Sequence, residues 1–307
     1  MNRNDIISKL RLDYYSERYC FAVAYILTMI NKNKILFPCL ELPITTVCTL
    51  CCENCSNLMQ YYEYPYILST ENVLNNLDKL VNSIDGISCL RILGGEPLLS
   101  PILYKVLEYA NQCTKIHNIL IVTNGTMLFS DKCLFLMCGN PKCKVSISDY
   151  GVNSKKIVQL EEQLTSANIL YNRRKVVWRD KANIRFRGKN DNELMKSFQE
   201  CPNRFFSLLK SELHMCPRSA HGTDLNIVPR NELDFIQLEH LGKKEIREKI
   251  CTMLKRPYIN ACNFCDEDIS ETLLIVEAGV QCKKNVALKR KQDIMVENRK
   301  AMEGKND

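Results

Sequence analysis

Apolar runs and amphipathic segments alternate along residues 41–167. The apolar runs predict strands at 41–47, 87–93, 118–123 and 143–148. The amphipathic segments predict helices at 71–84, 100–111, 130–138 and 154–167, with Thr70 as the N-cap of the first. Strands separated by helices of this length form right-handed βαβ units. The pattern therefore predicts an α/β fold whose parallel sheet has at least four strands before residue 150.

The same pattern divides the chain into four predicted regions. Residues 1–40 are predicted to be a helical extension, and residues 41–190 to form the α/β domain. Beyond about residue 180, charged loops and clustered cysteines replace the alternation, which predicts a second, smaller α+β domain over residues 191–285. Residues 286–307 are predicted to be a basic tail, as a solvated helix or a frayed end.

The composition is that of a globular protein. The 307 residues are 46% hydrophobic and 25% charged, which excludes a disordered or low-complexity chain. The net charge of +7 favours an anionic ligand but is too small to indicate a nucleic-acid partner. The apolar stretch at 21–30 is too short to cross a membrane, so we expect a cytoplasmic protein without a membrane partner.

The 17 cysteines are the compositional outlier. A secreted disulfide scaffold has this density in a shorter chain that begins with a signal peptide, whereas this N-terminus is polar and charged. Thiols stay reduced in the cytoplasm. Metal binding or catalysis is therefore the expected use of clustered cysteines here, ahead of disulfides.

The first cysteine cluster directly follows the first predicted strand. Cys48, Cys52 and Cys55 have the spacing C-x3-C-x2-C, while Cys51 breaks that spacing and is taken as a bystander. Three thiolates in one loop can bind three irons of a [4Fe–4S] cluster and leave the fourth iron open to another ligand. Zinc prefers two C-x2-C pairs and would leave Cys48 over. Zinc-binding or merely buried thiols nevertheless remain the alternatives.

Turn motifs follow the next three predicted strands. Gly94-Gly95-Glu96-Pro97 comes after the second strand, Thr123-Asn124-Gly125 ends the third, and Ser146 lies on the fourth. Each motif alone is a common turn or strand end. The carboxyl ends of consecutive parallel strands meet at one edge of a sheet, where α/β proteins build their sites. The glycines can also let the backbone approach a ligand closely.

This ordered set of motifs resembles the radical S-adenosylmethionine (radical SAM) superfamily over residues 40–180. Asn54 departs from the family, in which an aromatic residue commonly precedes the third cysteine. The resemblance implies a partial (β/α)6 barrel in which Cys48, Cys52 and Cys55 ligate a [4Fe–4S] cluster. It also implies that the open iron binds the methionine part of S-adenosylmethionine, and that one-electron cleavage yields a 5′-deoxyadenosyl radical.

The resemblance further implies which residues contact S-adenosylmethionine. Gly94, Gly95 and Glu96 would bind its amino group. Thr123, Asn124 and Ser146 would lie near its carboxylate and ribose.

A second cysteine cluster lies in the C-terminal part of the chain. Its members are Cys201, Cys216, Cys262 and Cys265, and the segment 205–215 is predicted to be a hairpin joining the first two. Four thiolates can fully ligate a second [4Fe–4S] cluster. The arrangement resembles the twitch domain, a shortened SPASM domain, as in 2-deoxy-scyllo-inosamine dehydrogenase. Zinc or no metal remain the alternatives, and Cys282 is a possible competitor for this cluster.

These features predict a radical SAM oxidoreductase. Its expected reaction is a two-electron oxidation of a small polar substrate, such as a cyclitol, sugar or sugar nucleotide, with flavodoxin or ferredoxin as electron donor. The alternatives are a peptide maturase that forms a crosslink or epimer, and a non-catalytic iron–sulfur protein. Candidates for lining the substrate cavity are His214, His221, Arg218, Tyr150, Trp178 and Arg179.

Overall fold

The computed structural model describes residues 34–175, 178–179, 184–201, 205–266 and 275–304. Most of the predicted helical extension, residues 1–33, lies outside these ranges. Its last residues belong to the first strand of the sheet, which begins at Leu36. The prediction of a helix up to residue 40 is therefore wrong at its end.

A parallel sheet with intervening helices forms the core, as the alternating pattern predicted. The strands are β1 (Leu36–Pro43), β2 (Gly86–Leu93), β3 (Ile119–Thr123), β4 (Cys143–Asp149) and β5 (Leu170–Lys175). The helices between them are α1 (Thr70–Ser83), α2 (Leu103–Gln112), α3 (Asp131–Met137) and α4 (Ile157–Ser166). Neighbouring strands pair in parallel from β1 to β5.

The first strand starts and ends earlier than the predicted 41–47. Nearly every residue of β1 is buried, as expected for a parallel strand covered on both faces, so its apolar run carries no alternation to mark its start. After Pro43 the chain turns away, and Thr45 forms a bridge to Ile67. The N-cap of α1 also differs from the predicted Thr70, because the Ser69 hydroxyl accepts the Asn72 N–H at 3.1 Å.

The C-terminal half adds three strands to the same sheet. Its elements are β6 (Trp178–Arg179), α5 (Asp191–Glu200), β7 (Phe206–Leu209), β8 (Glu212–His214), α6 (Pro217–Asp224), β9 (Phe235–Gln237), α7 (Lys243–Leu254), β10 (Ile275–Val276) and α8 (Lys284–Glu303). Strand β7 pairs in parallel with β1, and β8 and β9 follow in antiparallel order. The sheet therefore runs continuously across residue 190, where the sequence predicted a domain boundary. Strands β7 and β8 form the predicted hairpin.

Helix α8 occupies most of the predicted basic tail. Ala287, Ile294 and Asn298 are buried on one of its faces. The Asn298 side chain accepts the Phe186 N–H at 2.8 Å and donates to the Ile184 carbonyl at 3.1 Å. The helix is thus fixed to the body of the protein. No helix in the described ranges is both long enough and apolar enough to span a membrane.

A buried polar cluster joins the segment before α1 to helix α6. The hydroxyls of Tyr62 and Tyr66 both donate to the Asp224 carboxylate, at 2.9 Å and 2.5 Å. Nδ1 of the fully buried His221 lies 2.9 Å from the Tyr62 hydroxyl. Burial lowers the pKa of His221 to about 4, because the imidazolium cannot be hydrated there.

This burial predicts an acid-sensitive fold. Below about pH 6.5 the unfolded chain protonates His221 while the folded chain does not, so stability falls as the pH drops from about 6.5 to 4, by up to about 3 kcal/mol. His221→Gln should flatten this part of the profile of unfolding free energy against pH. His240→Gln, at an exposed histidine, should keep the wild-type slope. Equal slopes in all three proteins would contradict the assignment.

Candidate functional site

Cys48, Cys52 and Cys55 lie in the loop that follows the carboxyl end of β1. The Cys48 sulfur accepts the Leu50 N–H at 3.4 Å, and the Cys52 sulfur accepts the Gln281 side-chain amide at 3.2 Å. Burial, with repulsion from the neighbouring thiols, raises the pKa of Cys48 and of Cys52 to about 12. The structure therefore brings the three predicted ligands within electrostatic reach of one another. Metal binding would have to displace their protons.

The fit of this loop to an iron–sulfur cluster rests on its donor set. Three thiols with N–H groups directed at their sulfurs are the donors that such clusters use, and hydrogen bonds to the sulfurs tune cluster potentials. Within the ranges that the structure describes, no three His, Cys, Asp or Glu side chains lie close enough together to hold a single metal ion.

The glycine pair after β2 packs directly on the cysteine loop. The N–H of Gly95 donates to the Thr45 carbonyl, and that of Glu96 to the Val47 carbonyl, each at 2.9 Å. A Cβ atom on Gly94 would lie 2.2 Å from the Thr45 oxygen, and one on Gly95 the same 2.2 Å from the Val47 oxygen. Both positions therefore require glycine because two backbones meet there. The sequence had suggested approach to a ligand instead.

Glu96 ties the ends of β2 and β3 together. Its carboxylate is fully buried and accepts the Thr123 hydroxyl at 2.9 Å and the N–H groups of Asn124 at 2.8 Å and Leu98 at 3.1 Å. Burial raises the pKa of Glu96 to about 7. Both carboxylate oxygens thus have donors from the chain itself. Contact of Glu96 with the amino group of S-adenosylmethionine stays a prediction.

Asn124 connects the end of β3 to the cysteine loop. Its side-chain amide donates to the Thr49 hydroxyl at 3.1 Å and lies 3.6 Å from the Cys48 sulfur. Its side-chain oxygen Oδ1 accepts the Thr126 N–H at 3.1 Å. The predicted residues of three successive strand ends therefore form one connected network around the first cysteine.

Ser146 binds Arg174, a residue that the sequence pattern did not single out. The Arg174 guanidinium on β5 donates to the Ser146 hydroxyl at 2.9 Å. Strand β5 is mostly polar and carries no apolar run, so the pattern did not predict it. Each of its residues pairs with one of β4, and this pairing is what brings Arg174 to the site.

An aromatic pair borders the same loop. Tyr150 follows β4, and its ring meets that of Trp178 edge to face, with centroids 5.4 Å apart. Burial, with charge on the three loop cysteines, raises the pKa of Tyr150. Two predicted cavity residues thus lie together beside the loop. The side chain of Arg179, a third candidate, lies outside the described part of the structure.

The four C-terminal cysteines line one cavity of about 160 Å³. Cys201 follows α5, Cys216 is the N-cap of α6, and Cys262 and Cys265 lie on and just after a 3-10 turn at 260–264. Burial raises the pKa of the Cys216 thiol, and charge on the other three cysteines raises it further. The structure thus brings together four residues that are distributed over 65 positions of sequence.

Two charged side chains, the buried Asp234 and the half-buried Lys189, hold the turn that carries Cys262 and Cys265. The Asp234 carboxylate accepts the N–H groups of Asn260 at 2.8 Å and Ala261 at 2.9 Å. The Lys189 ammonium donates to the Cys265 carbonyl at 2.8 Å. These contacts position the C-x2-C turn independently of any metal.

Cys282 lies at the first cysteine loop and not at the second set, where the sequence had suggested it. Its sulfur is 3.6 Å from that of Cys51, and its N–H donates to the Cys51 carbonyl at 2.8 Å. Next to it, the Gln281 side chain accepts the Cys51 N–H at 2.8 Å and donates to the Cys52 sulfur. No local motif marks these contacts, which span about 230 residues.

Residues 42–148, from the end of β1 through β4, match the model of the Radical SAM superfamily. This segment of the chain is a radical SAM domain. This match covers the cysteine loop, the Gly94–Glu96 turn and the end of β3. No curated protein matches the chain.

The chain is also similar to solved structures of proteins that bind S-adenosylmethionine (AdoMet). SuiB of Streptococcus suis bound to S-adenosylmethionine is 17% identical, with 55% of this chain and 44% of SuiB covered and a TM-score of 0.38. BtrN in complex with AdoMet and 2-DOIA is 17% identical, with coverages of 78% and 100% and a TM-score of 0.48. For anSMEcpe with bound AdoMet and Cp18Cys peptide, identity is 14%, the coverages are 85% and 96%, and the TM-score is 0.46. The chain therefore spans less than half of SuiB.

The glycine contact of the radical SAM domain can be tested by substitution. Gly94→Ala places a methyl group against the Thr45 carbonyl, whereas Gly139, also at positive φ, has nothing within 4 Å of an added Cβ. We expect Gly94→Ala to cost at least about 2 kcal/mol more unfolding free energy than Gly139→Ala. Urea denaturation measures both values. Equal costs would show that the close approach contributes nothing.

Proposed function

We propose that the chain is a radical SAM oxidoreductase that holds two [4Fe–4S] clusters and oxidises a small polar substrate by two electrons. This proposal rests on the presence of two separate cysteine sets next to one sheet. Three thiols follow β1 within the radical SAM domain, and four line the cavity beside β7. A set of three leaves one iron open, whereas a set of four leaves none.

The first set would hold the cluster that binds S-adenosylmethionine. Together these cofactors supply reductive cleavage of the sulfonium and removal of a hydrogen atom from the substrate. Cys48, Cys52 and Cys55 are the proposed ligands. Gly94, Gly95, Glu96, Thr123, Asn124 and Ser146 are the proposed contacts of S-adenosylmethionine.

The chain's own groups would order this site and keep water out. Tyr150 and Trp178 form an aromatic wall beside the loop. Gln281 donates to the Cys52 sulfur, and Glu96 fixes the backbone of Asn124. Such rigid placement favours a radical reaction, because a reactive species must meet one C–H bond and little else.

The four-cysteine set favours an oxidative outcome. Oxidation of a carbon that bears a hydroxyl or amine group removes a hydrogen atom, then a proton and one further electron. A fully ligated cluster has no iron to bind substrate, so redox chemistry is its simplest use. The net charge of +7 is the observation that favours an anionic member of the sugar, cyclitol or sugar-nucleotide class.

Metal analysis tests the two cysteine sets separately. Anaerobically reconstituted protein should hold about eight irons, as expected for two four-iron clusters. Cys48→Ala/Cys52→Ala/Cys55→Ala and Cys262→Ala/Cys265→Ala should each retain about four. Cys138→Ala, at an exposed cysteine, should keep the full content. A triple variant with undiminished iron would refute the first ligand set.

Product analysis tests the type of reaction. With dithionite, the wild type should convert a member of a panel of amino sugars, cyclitols and sugar nucleotides to a product lacking two hydrogen atoms. Cys262→Ala/Cys265→Ala should still form 5′-deoxyadenosine, since that needs only the first set. Its product per 5′-deoxyadenosine should fall at least tenfold. An undiminished ratio would exclude electron acceptance by the second set, and reaction only with a parallel peptide panel would favour the maturase.

A further inference from the structure

Arg218 is a buried cation without a partner in the described residues. Its side chain lies on α6, two residues after Cys216, and Arg218 is only 7% exposed. None of its three guanidinium nitrogens has a hydrogen-bond partner within the described part of the chain. Arginine has five N–H donors and stays protonated in proteins, so this arrangement leaves a full charge uncompensated.

The guanidinium belongs to a cavity that extends from the second cysteine set to the first cysteine loop. Arg218 lines the cavity that contains Cys201, Cys216, Cys262 and Cys265. The same cavity is lined by Ser56 and Asn57, which directly follow Cys55 in the first loop.

The other charged groups of this cavity neutralise each other. Glu41 on β1 accepts a salt bridge from Arg91 on β2 at 3.0 Å. Glu41 and Arg91 lie opposite each other on the paired strands β1 and β2, so the pairing of the strands brings the two charges together. Arg218 is left as the cation that needs an anion.

Burying an unpaired cation is strongly unfavourable, and a group in this position normally has an anionic partner. A [4Fe–4S] core with a charge of 2+ and four thiolate ligands carries two negative charges overall, and one-electron reduction adds a third. The four thiols around the cavity are the groups that can create this anion next to Arg218.

We propose that Arg218 is the counter-cation of a cluster held by Cys201, Cys216, Cys262 and Cys265, and that it favours the reduced state of that cluster. This inference rests on the proposed function. It goes beyond it by assigning a role to a residue that ligates no metal. A nearby cation stabilises the more negative state, so Arg218 raises the reduction potential of the second cluster.

Such a role predicts opposite effects on the protein without and with its clusters. Arg218→Met removes a buried, unpaired charge, so the cluster-free variant should resist urea better than cluster-free wild type. Binding of the clusters should raise the stability against urea less in Arg218→Met than in wild type. A residue that merely packs α6 would shift both forms in the same direction.

The reduction potential gives a second readout. We expect Arg218→Met to lower the equilibrium constant for reduction of the second cluster by at least tenfold, which is about 59 mV for a one-electron couple. Arg218→Lys keeps the charge and should therefore retain most of the wild-type reduction potential. Redox titration followed by EPR measures it, with Cys262→Ala/Cys265→Ala identifying the signal of the first cluster. Arg91→Met is the matched control, and it should destabilise both forms because it leaves the buried Glu41 without this salt bridge.

Each outcome decides between the inference and the function on which it rests. Wild type with only about four irons would refute the second cluster, and with it the role of Arg218. Wild type with about eight irons and an unchanged potential in Arg218→Met would refute the role of Arg218 alone. If Arg218→Met and Arg218→Gln both destabilise the cluster-free protein, or fail to fold, Arg218 is a packing residue and the inference is wrong.

Discussion

The close contact between the Gly94–Glu96 turn and the cysteine loop is the constraint on which the first site depends. Two backbone hydrogen bonds, from Gly95 and Glu96 to the carbonyls of Thr45 and Val47, hold the chain just before Cys48. They form only because neither glycine carries a Cβ. Glu96 then extends the same contact to β3 through its buried carboxylate. The positions of the cysteine loop and of two strand ends are thus coupled.

Strand β1 also relates the two cysteine sets to each other. The loop of three thiols follows its carboxyl end, while β7 pairs with it in parallel through Leu40 and Phe206. The rings of Phe37 and Phe206 stack at 4.1 Å across this pairing. The hairpin β7–β8 leads directly into Cys216 at the start of α6. The first cysteine loop and Cys216 of the second set are therefore both connected to one buried strand.

The C-terminal segment covers the first loop. The N–H of Glu53 donates to the Val280 carbonyl at 2.8 Å, and Arg290 of α8 bridges to the Glu53 carboxylate at 3.1 Å. Together with the contacts of Gln281, they tie residues near the end of the chain to the radical SAM domain. Helix α8 lies in the region that the sequence predicted to be a basic tail, and it packs against one side of the site.

The alternating α/β architecture could be predicted from the sequence, together with the order of four strands and the motifs at their ends. These depend on local apolar periodicity and on residue types at fixed spacing. Four other features are visible only in the folded chain: Gly94 and Gly95 meet backbone, Arg174 reaches Ser146, Cys282 lies beside Cys51, and Arg218 is buried with no hydrogen-bond partner among the described residues. Each of these is a contact between residues distant in the chain, or a property of burial. No local pattern encodes such contacts, because they depend on which elements pack together.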